Sequence, residues 1–497
     1  MTSPSRQRMS PSPVPAAPPA PLTTEQRQAL DSLLRQLPEA DELGRLFAAA
    51  GHQLYLVGGT VRDGLLGRVG DDLDFTTDAT PERVRRIVTG YADALWETGI
   101  AFGTLGLRRG RRRLEITTFR SEVYLPESRK PAVSYGDSLI GDLSRRDFTV
   151  NAMAVSLPDH AFADPYGGLR DLDDRLLRTP GRPEDSFSDD PLRILRAARF
   201  GAQLAFDVDQ PVMAAMTEMA ERIGIVSVER IAVELTKLVC ADHPRRGVEL
   251  LVETGVADHV LPELPRLRLA ADPLHRHKDV YEHTLTVLDQ AILLEDGEPD
   301  LVLRLAALLH DIGKPKTRAF TPGGGVSFHH HEVVGRDMAR ARLTALRYPR
   351  QVVDDVARLV ELHLRFHGYG EVYWSDAAVR RYVTDAGPLL DRLHKLTRSD
   401  CTTRNRRKAA ALSSAYDDLE RRIAELSERE QLAKIRPDLD GNQIMAILGI
   451  PPGRLVGEAY RHLLDLRMER GPLGAAQAES ELRRWAADRG LDAGRSG

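Results

Sequence analysis

Hydrophobic and polar positions along the chain follow two different rhythms. From Thr23-Thr24-Glu25-Gln26, where a helical period begins, to about Pro165, helical and strand-like segments alternate. Gln53 to Val57 predicts a strand, and the β-branched Ile116-Thr117-Thr118-Phe119 predicts another. After Asp171 the apolar positions recur at helical spacing almost throughout, which marks a first domain boundary. A second boundary is expected near Leu261-Pro262-Glu263-Leu264-Pro265 and a third near Arg436-Pro437-Asp438. The first 22 residues are Pro, Ser and Ala with few large apolar side chains, which predicts a disordered tail. The expected architecture is α+β. A mixed head spans 23–175, and three helical domains follow over 176–265, 266–430 and 431–497.

A chain of 497 residues exceeds the size of one core, and its 42% hydrophobic content is enough to build several. No apolar run has the length of a membrane span, and the first residues lack the apolar segment of a secretory signal, so a cytoplasmic protein without membrane partners is expected. Cys240 and Cys401 are too few for a disulfide framework or a thiolate zinc site. The net charge of −4 means that any nucleic-acid surface must be local. Two basic runs qualify, Arg108–Arg113 at an apparent hairpin turn and Arg404–Lys408; a solvated charged surface explains each equally well.

Candidate chemistry concentrates in the head. The predicted strand ending at Val57 runs into Gly58-Gly59, where the absence of Cβ atoms lets backbone N–H groups approach a polyanion. In Asp72-Leu73-Asp74 the carboxylates lie two apart, so on a strand both project from one face while Leu73 and Phe75 pack behind. Two such carboxylates suit Mg²⁺, which takes carboxylate and phosphate oxygens and can activate an attacking hydroxyl while neutralising a pyrophosphate leaving group. The inferred reaction is nucleotidyl transfer. Either element alone reads as a turn or a solvated strand edge, whereas their succession within one short span points to a site.

Gly58-Gly59-Thr60-Val61-Arg62-Asp63 with Asp72-Leu73-Asp74, and Arg145-Arg146-Asp147-Phe148-Thr149-Val150-Asn151-Ala152-Met153, resemble the first two signature motifs of bacterial class II tRNA nucleotidyltransferases. These are the CCA-adding enzymes and the related poly(A) polymerases. Gly167-Gly168 with Asp171-Leu172, Asp189-Asp190-Pro191-Leu192-Arg193, and Ser227-Val228-Glu229-Arg230-Ile231 with Glu234 follow in family order, and the likeness runs from about residue 40 to the C-terminus. It implies a polymerase-β-like nucleotidyltransferase head (a small mixed sheet with helices) followed by all-α neck, HD and tail domains.

The resemblance also implies roles. Asp72 and Asp74 would bind Mg²⁺ as catalytic residues, and Glu115 is either a third metal-proximal carboxylate or an outward-facing glutamate. Gly58, Gly59, Arg62 and Arg146 would hold the triphosphate. In Arg145-Arg146-Asp147 with Asn151, Arg146 can pair phosphate oxygens and Asp147 can accept from a sugar hydroxyl; the alternative is a surface ion pair at the start of a helix. Cytosine and adenine share an amino donor beside a ring-nitrogen acceptor, and a carboxylate beside a guanidinium complements that edge. Asp190 and Arg193 match the family positions that read it, three apart on a helix beginning at Pro191, although Asp190 is also a good N-cap. Asp189 stands where the family usually has glutamate. Arg196 and Arg199 either serve the nucleotide site or solvate the helix. Glu229, Arg230 and Glu234 match a structural brace, or an ordinary intrahelical ladder, and Gly167-Gly168 with Asp171 match a hinge between head and neck.

A second constellation, His283, His310, Asp311, His331, His363 and Asp400, combines imidazoles and carboxylates of the kind that hold a divalent transition metal. His310-Asp311, after the apolar run Leu301–Leu309 and before Ile312-Gly313-Lys314-Pro315, resembles an HD-domain phosphohydrolase signature, while His329 and His330 read as loop residues. The resemblance implies a phosphatase or 2′,3′-cyclic phosphodiesterase acting on damaged tRNA ends, with the metal's identity open. It likewise implies a tail, Asp440–Met445 and Leu448–Gly457, whose glycine turns offer amides to a phosphate chain. The leading expectation is template-independent addition or repair of the 3′-terminal CCA of tRNA from CTP and ATP, with no obligate protein partner. A poly(A) polymerase or a partial CC- or A-adding enzyme is the first alternative; an HD phosphohydrolase with an RNA-binding head is the second.

Overall fold

The computed structural model describes residues 22–97, 103–123, 132–135, 138–269, 279–320, 325–366, 369, 374–403, 405–430 and 436–491. The expected N-terminal disorder over 1–21, Arg404 in the second basic run, and the start of the expected tail domain at 431–435 lie outside them. The chain divides into two compact units, 1–260 and 261–497.

After helices Thr24–Gln36 and Pro38–Ala49, the first unit continues with nine strands and short helices between them: β1 (Leu54–Val57), β2 (Asp72–Thr77), β3 (Ala94–Trp96), β4 (Thr104–Arg109), β5 (Arg112–Thr118), β6 (Arg120–Val123), β7 (Ala132–Tyr135), β8 (Ala154–Leu157) and β9 (Phe162–Ala163). Seven form one sheet in the order β3-β4-β5-β2-β1-β8-β9, and β6 pairs with β7 apart from it. Within the sheet, β2 and β5 run parallel and the other neighbours antiparallel. That one parallel pairing sets Asp74 beside Glu115 in register. Leu73, Phe75, Leu114 and Ile116 are buried on the opposite face, as a period of two requires. Helix Pro38–Ala49 packs on β1 and β8 through buried Leu43 and Phe47.

The hairpin between β4 and β5 turns at Gly110-Arg111, and the arginines around it are mostly held. Buried Arg112 reaches Glu39 and the Gln36 carbonyl, Arg109 lies over Tyr91, and Arg113 lies over Trp96. This run is therefore largely intramolecular, not a free basic strip. Arg406, Arg407 and Lys408 are exposed at the start of helix Arg406–Glu430.

The rest of the first unit is mainly helical. Helix Leu192–Leu204 is its centre, burying Leu192, Ile194, Leu195 and Phe200, and helices Val228–Val239 and Pro244–Glu253 pack on it. Thr149–Asn151 is a single 3₁₀ turn that leads into β8, not the start of the longer helix weighed from sequence, because Ala154 onward pairs with β1. The glycine pair expected to act as a hinge is clamped. Gly167 adopts φ +73°, a Cβ on Gly168 would come within 2.2 Å of the Thr149 carbonyl oxygen, and Asp164 accepts from the N–H groups of Gly168 and Leu169. Asp171 accepts from Thr149 and Arg178. In this structure the segment is tightly packed and its charges are paired.

In the second unit, helices Val280–Ile292, Leu301–Leu309, His331–Ala345, Arg350–Leu362 and Leu390–Asp400 surround one core. The C-terminal helices Gly441–Leu448, Arg454–Arg470 and Ala475–Ala487 build a separate cluster around Ile444, Leu463, Leu482 and Trp485. Asp440 and Gln443 cap its first helix reciprocally, and Gly449 ends that helix at φ +64°. Among the described residues, no helix is long and apolar enough to cross a membrane.

Candidate active site and metal centre

The turn from β1 into helix Gly59–Leu65 brings backbone, metal-type carboxylates and arginines together. Gly58 has φ +70°, and a Cβ there would stand 2.8 Å from Arg146 Nη1 and 3.5 Å from Asp74 Oδ2. Glycine is required twice over, for the backbone angle and for the space. Thr60 Oγ1 accepts from the Asp74 N–H at 3.2 Å and ties the turn to β2. Asp72, Asp74 and Glu115 all emerge on the open face of the sheet.

Their charges interact. Protein crowds Asp74 although its surface remains open to solvent; this desolvation raises its pKa, Asp72 adds to the rise, and Arg146 opposes it. Glu115 is raised by desolvation and then by Asp74, with Arg113 opposing. Mutual repulsion among three carboxylates on one strand pair is what a divalent cation relieves. Among the described residues, they do not form a cage of ligand atoms within 4.8 Å of one another. Such an open set leaves coordination positions for phosphate oxygens.

Beside these acids lies a cleft of about 310 Å³. Asp74, Phe75 and Thr117 line it from the sheet, Arg145, Arg146 and Asp147 from the segment before β8, and Asp190, Arg193, Arg196 and Arg230 from the helical part. Arg146 donates to Asp142 at 3.3 Å, and its buried Nε has no hydrogen-bond partner among the described residues. Asp147 is buried. Its Oδ1 accepts from the Phe148 N–H and Asn151 Nδ2, both at 2.9 Å, and its Oδ2 accepts from Arg196 at 2.8 and 2.5 Å. Burial opposes ionisation of Asp147, yet Arg196 and the Asn151 hydrogen bond hold its pKa well below the carboxylate range.

Asp190 lies before helix Leu192–Leu204, whose N-cap is Pro191, so it does not share a helical face with Arg193. Its Oδ1 accepts from the Leu192 N–H at 3.1 Å, while its Oδ2 pairs with Arg230 at 2.7 Å and faces the cleft. Arg193 is held by Ser186 Oγ at 2.8 Å and by the Arg145 carbonyl at 2.5 Å. Both line one cleft, on either side of Pro191 between helices Pro183–Asp189 and Leu192–Leu204.

Two residues expected to hold nucleotide lie elsewhere. Arg62 is 4% exposed, stacks over Phe200, and divides its guanidinium between Asp63 and Asn151 Oδ1. It braces the turn and is absent from the cleft wall. Arg199 is buried against Phe200 and pairs with Glu234 at 2.7 Å. Burial, then the nearby Arg196 charge, lowers its pKa to about 10 against the pull of Glu234. Asn151 likewise links Arg62 to Asp147. Sequence reasoning overlooked Asp142, and also the pairings of Arg230 with Asp190 and of Glu234 with Arg196 and Arg199. Leu143, buried beside Asp142 in helix Leu139–Ser144, was the available signal, since a carboxylate buried there must find cations.

In the second unit the six expected residues converge. His283 Nε2 lies 3.0 Å from Asp400 Oδ1, His310 Nε2 lies 3.2 Å from Asp311 Oδ2, and His331 Nε2 lies 3.2 Å from Asp311 Oδ1. Their ligand atoms form two groups: His283, His310 and Asp400; and Asp311, His331 and His363. Asp311 turns one oxygen towards each group. The imidazoles are aimed by nearby backbone: Nδ1 of His310, His331 and His363 donates to the carbonyls of Ala307, Phe328 and Val360, each three residues earlier. A carbonyl can only accept, so Nε2 of a neutral ring is left as a bare lone pair. Among the described residues, Nε2 of His331 and His363 and Oδ1 of Asp311 are buried without hydrogen-bond partners. Burial, and then His310, lowers the pKa of His363 to about 3, which keeps its ring neutral. Orphaned lone pairs on a shared bridging carboxylate fit divalent metal ions. Lys314 donates to Asp311 Oδ2 at 2.5 Å. His329 and His330 lie exposed before helix His331–Ala345, outside the cluster.

A larger hollow, about 450 Å³, lies on the C-terminal helices between Arg461, His462, Trp485 and Arg489. Two of the acids lining it are already paired, Glu458 with Arg454 and Glu481 with Arg470 and Arg484, and neither metal-ligand group reaches it.

Comparison with known proteins agrees with this geometry. The chain matches the poly A polymerase head domain over residues 54–178, a probable RNA and SrmB-binding site of polymerase A over 205–267, and the HD domain over 280–405. An A-adding tRNA nucleotidyltransferase from Deinococcus radiodurans is 35% identical over 87% of this chain and 95% of its own length. A CCA-adding enzyme from Streptococcus gordonii is 40% identical over 49% of this chain and 60% of its own length. The crystal structure of the Bacillus stearothermophilus CCA-adding enzyme in complex with CTP superposes with a TM-score of 0.63 at 24% identity, covering 94% of this chain and 99% of that one, which shows a common fold. The chain thus belongs to the tRNA nucleotidyltransferase family, whose members join a polymerase-A-type head to helical domains, and it carries an HD domain. It is a nucleotidyltransferase with side-chain groups suited to divalent metals.

Proposed function

We propose that the head cleft transfers CMP and AMP from CTP and ATP to the 3′ end of tRNA without a template, building or repairing the terminal CCA and releasing pyrophosphate. One observation carries this reading: Asp190 and Arg193 line the same cleft as Asp74 and Arg146, so base and triphosphate would be met in one space. Asp72, Asp74 and Glu115 would hold Mg²⁺, which lowers the pKa of the attacking 3′-hydroxyl and neutralises the leaving pyrophosphate. Arg146 would pair with the triphosphate beside the amides of Gly58 and Gly59, and Asp147 would keep Arg196 in place along the cleft. Asp190 would exchange Arg230 for the exocyclic amine of cytosine or adenine, while Arg193 donates to the neighbouring ring nitrogen. Uracil and guanine present a carbonyl and an N–H there, so the carboxylate repels them. A cytoplasmic location fits a tRNA substrate.

Addition of A alone is the second reading, favoured because the A-adding relative matches along 87% of the chain. Sequencing the ends made on tRNAs lacking CCA, lacking CA and lacking A, with all four triphosphates present, separates the two. CCA on the shortest substrate supports the first reading. Extension only of tRNA ending in CC supports the second, and long A tails refute both.

His283, His310, Asp311, His331, His363 and Asp400 would hold divalent transition metal, which when bound would supply Lewis-acid activation of water for phosphoester hydrolysis. Phosphomonoesters and 2′,3′-cyclic phosphates at RNA ends are the proposed substrates. A protein that only binds RNA through its head would have no use for the acidic cluster at 72, 74 and 115, which argues against a pure hydrolase.

A further inference from the structure

Asp142 lies behind the cleft and touches none of its open space. It is fully buried in the short helix Leu139–Ser144. Its Oδ1 accepts from Arg145 Nε at 3.2 Å and Nη2 at 2.5 Å, and its Oδ2 accepts from Arg146 Nη2 at 3.3 Å. Burial disfavours its charge, but the two guanidinium groups outweigh this and hold its pKa below the usual carboxylate range. The far end of Arg146, Nη1, reaches the space that the missing Cβ of Gly58 leaves open, next to Asp74. Arg145 and Arg146 are adjacent cations that line the same cleft as Arg193 and Arg196. Like charges so placed would splay into solvent if nothing held them from behind.

We propose that Asp142 is a positioning residue for the triphosphate: one buried carboxylate grips two neighbouring arginines and aims Arg146 between Asp74 and the Gly58 turn before substrate arrives. The inference rests on the nucleotidyltransferase reading of the cleft. A long, flexible cation binds phosphate better when its rotamer is already fixed, because ordering it is no longer charged against binding. Asp142 is shielded from substrate, so it acts wholly through Arg145 and Arg146.

The test compares wild type, Asp142→Asn, Asp142→Glu, Arg146→Ala and the double variant Asp142→Asn/Arg146→Ala in CTP incorporation into a tRNA lacking its end. Pyrophosphate serves as a competitive probe of the phosphate subsite. Asp142→Asn keeps the shape and removes the charge. It should raise the KM for CTP and the inhibition constant for pyrophosphate together, each by about tenfold, with kcat changed less than threefold. Asp142→Glu, which retains a carboxylate, should recover most of the pyrophosphate affinity. The double variant should be no weaker in pyrophosphate binding than Arg146→Ala. Unchanged pyrophosphate inhibition in Asp142→Asn, or independent additive losses in the double variant, would overturn the proposal, and a loss confined to kcat and thermal stability would do the same. Wild-type protein that incorporates no nucleotide would instead refute the underlying functional reading.

Discussion

Replacing Gly58 by alanine perturbs backbone and site at a single atom. At φ +70°, ψ −139° an L-residue is strained by about 1–3 kcal/mol. The new methyl group would also sit 2.8 Å from Arg146 Nη1, so the guanidinium must move away from Asp74. Loss of one hydrogen bond to a charged group is worth about 1.5–3 kcal/mol, which corresponds to roughly tenfold to hundredfold in kcat/KM. The strain should lower the melting temperature by only a few degrees in a protein of this size. Steady-state incorporation of CTP into truncated tRNA, together with a thermal melt, measures both effects. The reasoning fails if Gly58→Ala retains kcat/KM within twofold of wild type, or if lost activity merely follows wholesale unfolding.

Arg193→Ala should reduce the ratio of kcat/KM for CTP over UTP by about tenfold to hundredfold, one bidentate base contact being worth about 1–3 kcal/mol; an unchanged ratio would remove Arg193 from base reading. In the second unit, metal analysis of protein loaded with excess Mn²⁺ should find two ions in the HD cluster of the wild type and loss of both on Asp311→Ala, whereas retention of one would show that Asp311 does not bridge. Removing the HD metals by chelation should abolish phosphoester hydrolysis, and re-adding a divalent ion should restore it. Asp142 and Asp147 have pKa values depressed in the folded state, so their stabilisation is complete above the ordinary carboxylate pKa of about 4 and is lost as pH falls below it. Denaturant midpoints for Asp147→Asn should therefore decline less steeply than wild type below about pH 5; parallel declines would contradict the pairing.

The parts of this site that local rules govern were legible in the sequence. A strand entering Gly58-Gly59 and carboxylates at alternate positions on β2 are short-range patterns, and the structure reproduces both. Glu115 required more, since only the parallel pairing of β2 with β5 sets it next to Asp74. Arg62 shows the opposite limit. Its place in a glycine-rich turn suggested phosphate, yet Asn151, 89 positions away, and Phe200 enclose it. Asp190 was read through helical spacing, but Pro191 caps the helix and leaves Asp190 extended. In the HD cluster the six converging residues were identifiable, while their division around Asp311 depends on helices brought together by packing. The histidine–carbonyl bonds three residues back were a local signal that could have been read.

The account stands on the carboxylates of β2 and β5 acting with a cation on an incoming nucleotide. Its most direct test is Mg²⁺-dependent CTP incorporation by Asp74→Asn, a near-isosteric change that removes one charge, with hydrolysis of a 2′,3′-cyclic phosphate measured in the same preparation. Incorporation reduced by at least about a thousandfold, with hydrolysis intact, is the expected result, an effect of about 4 kcal/mol on the transition state. Incorporation within tenfold of wild type would contradict it.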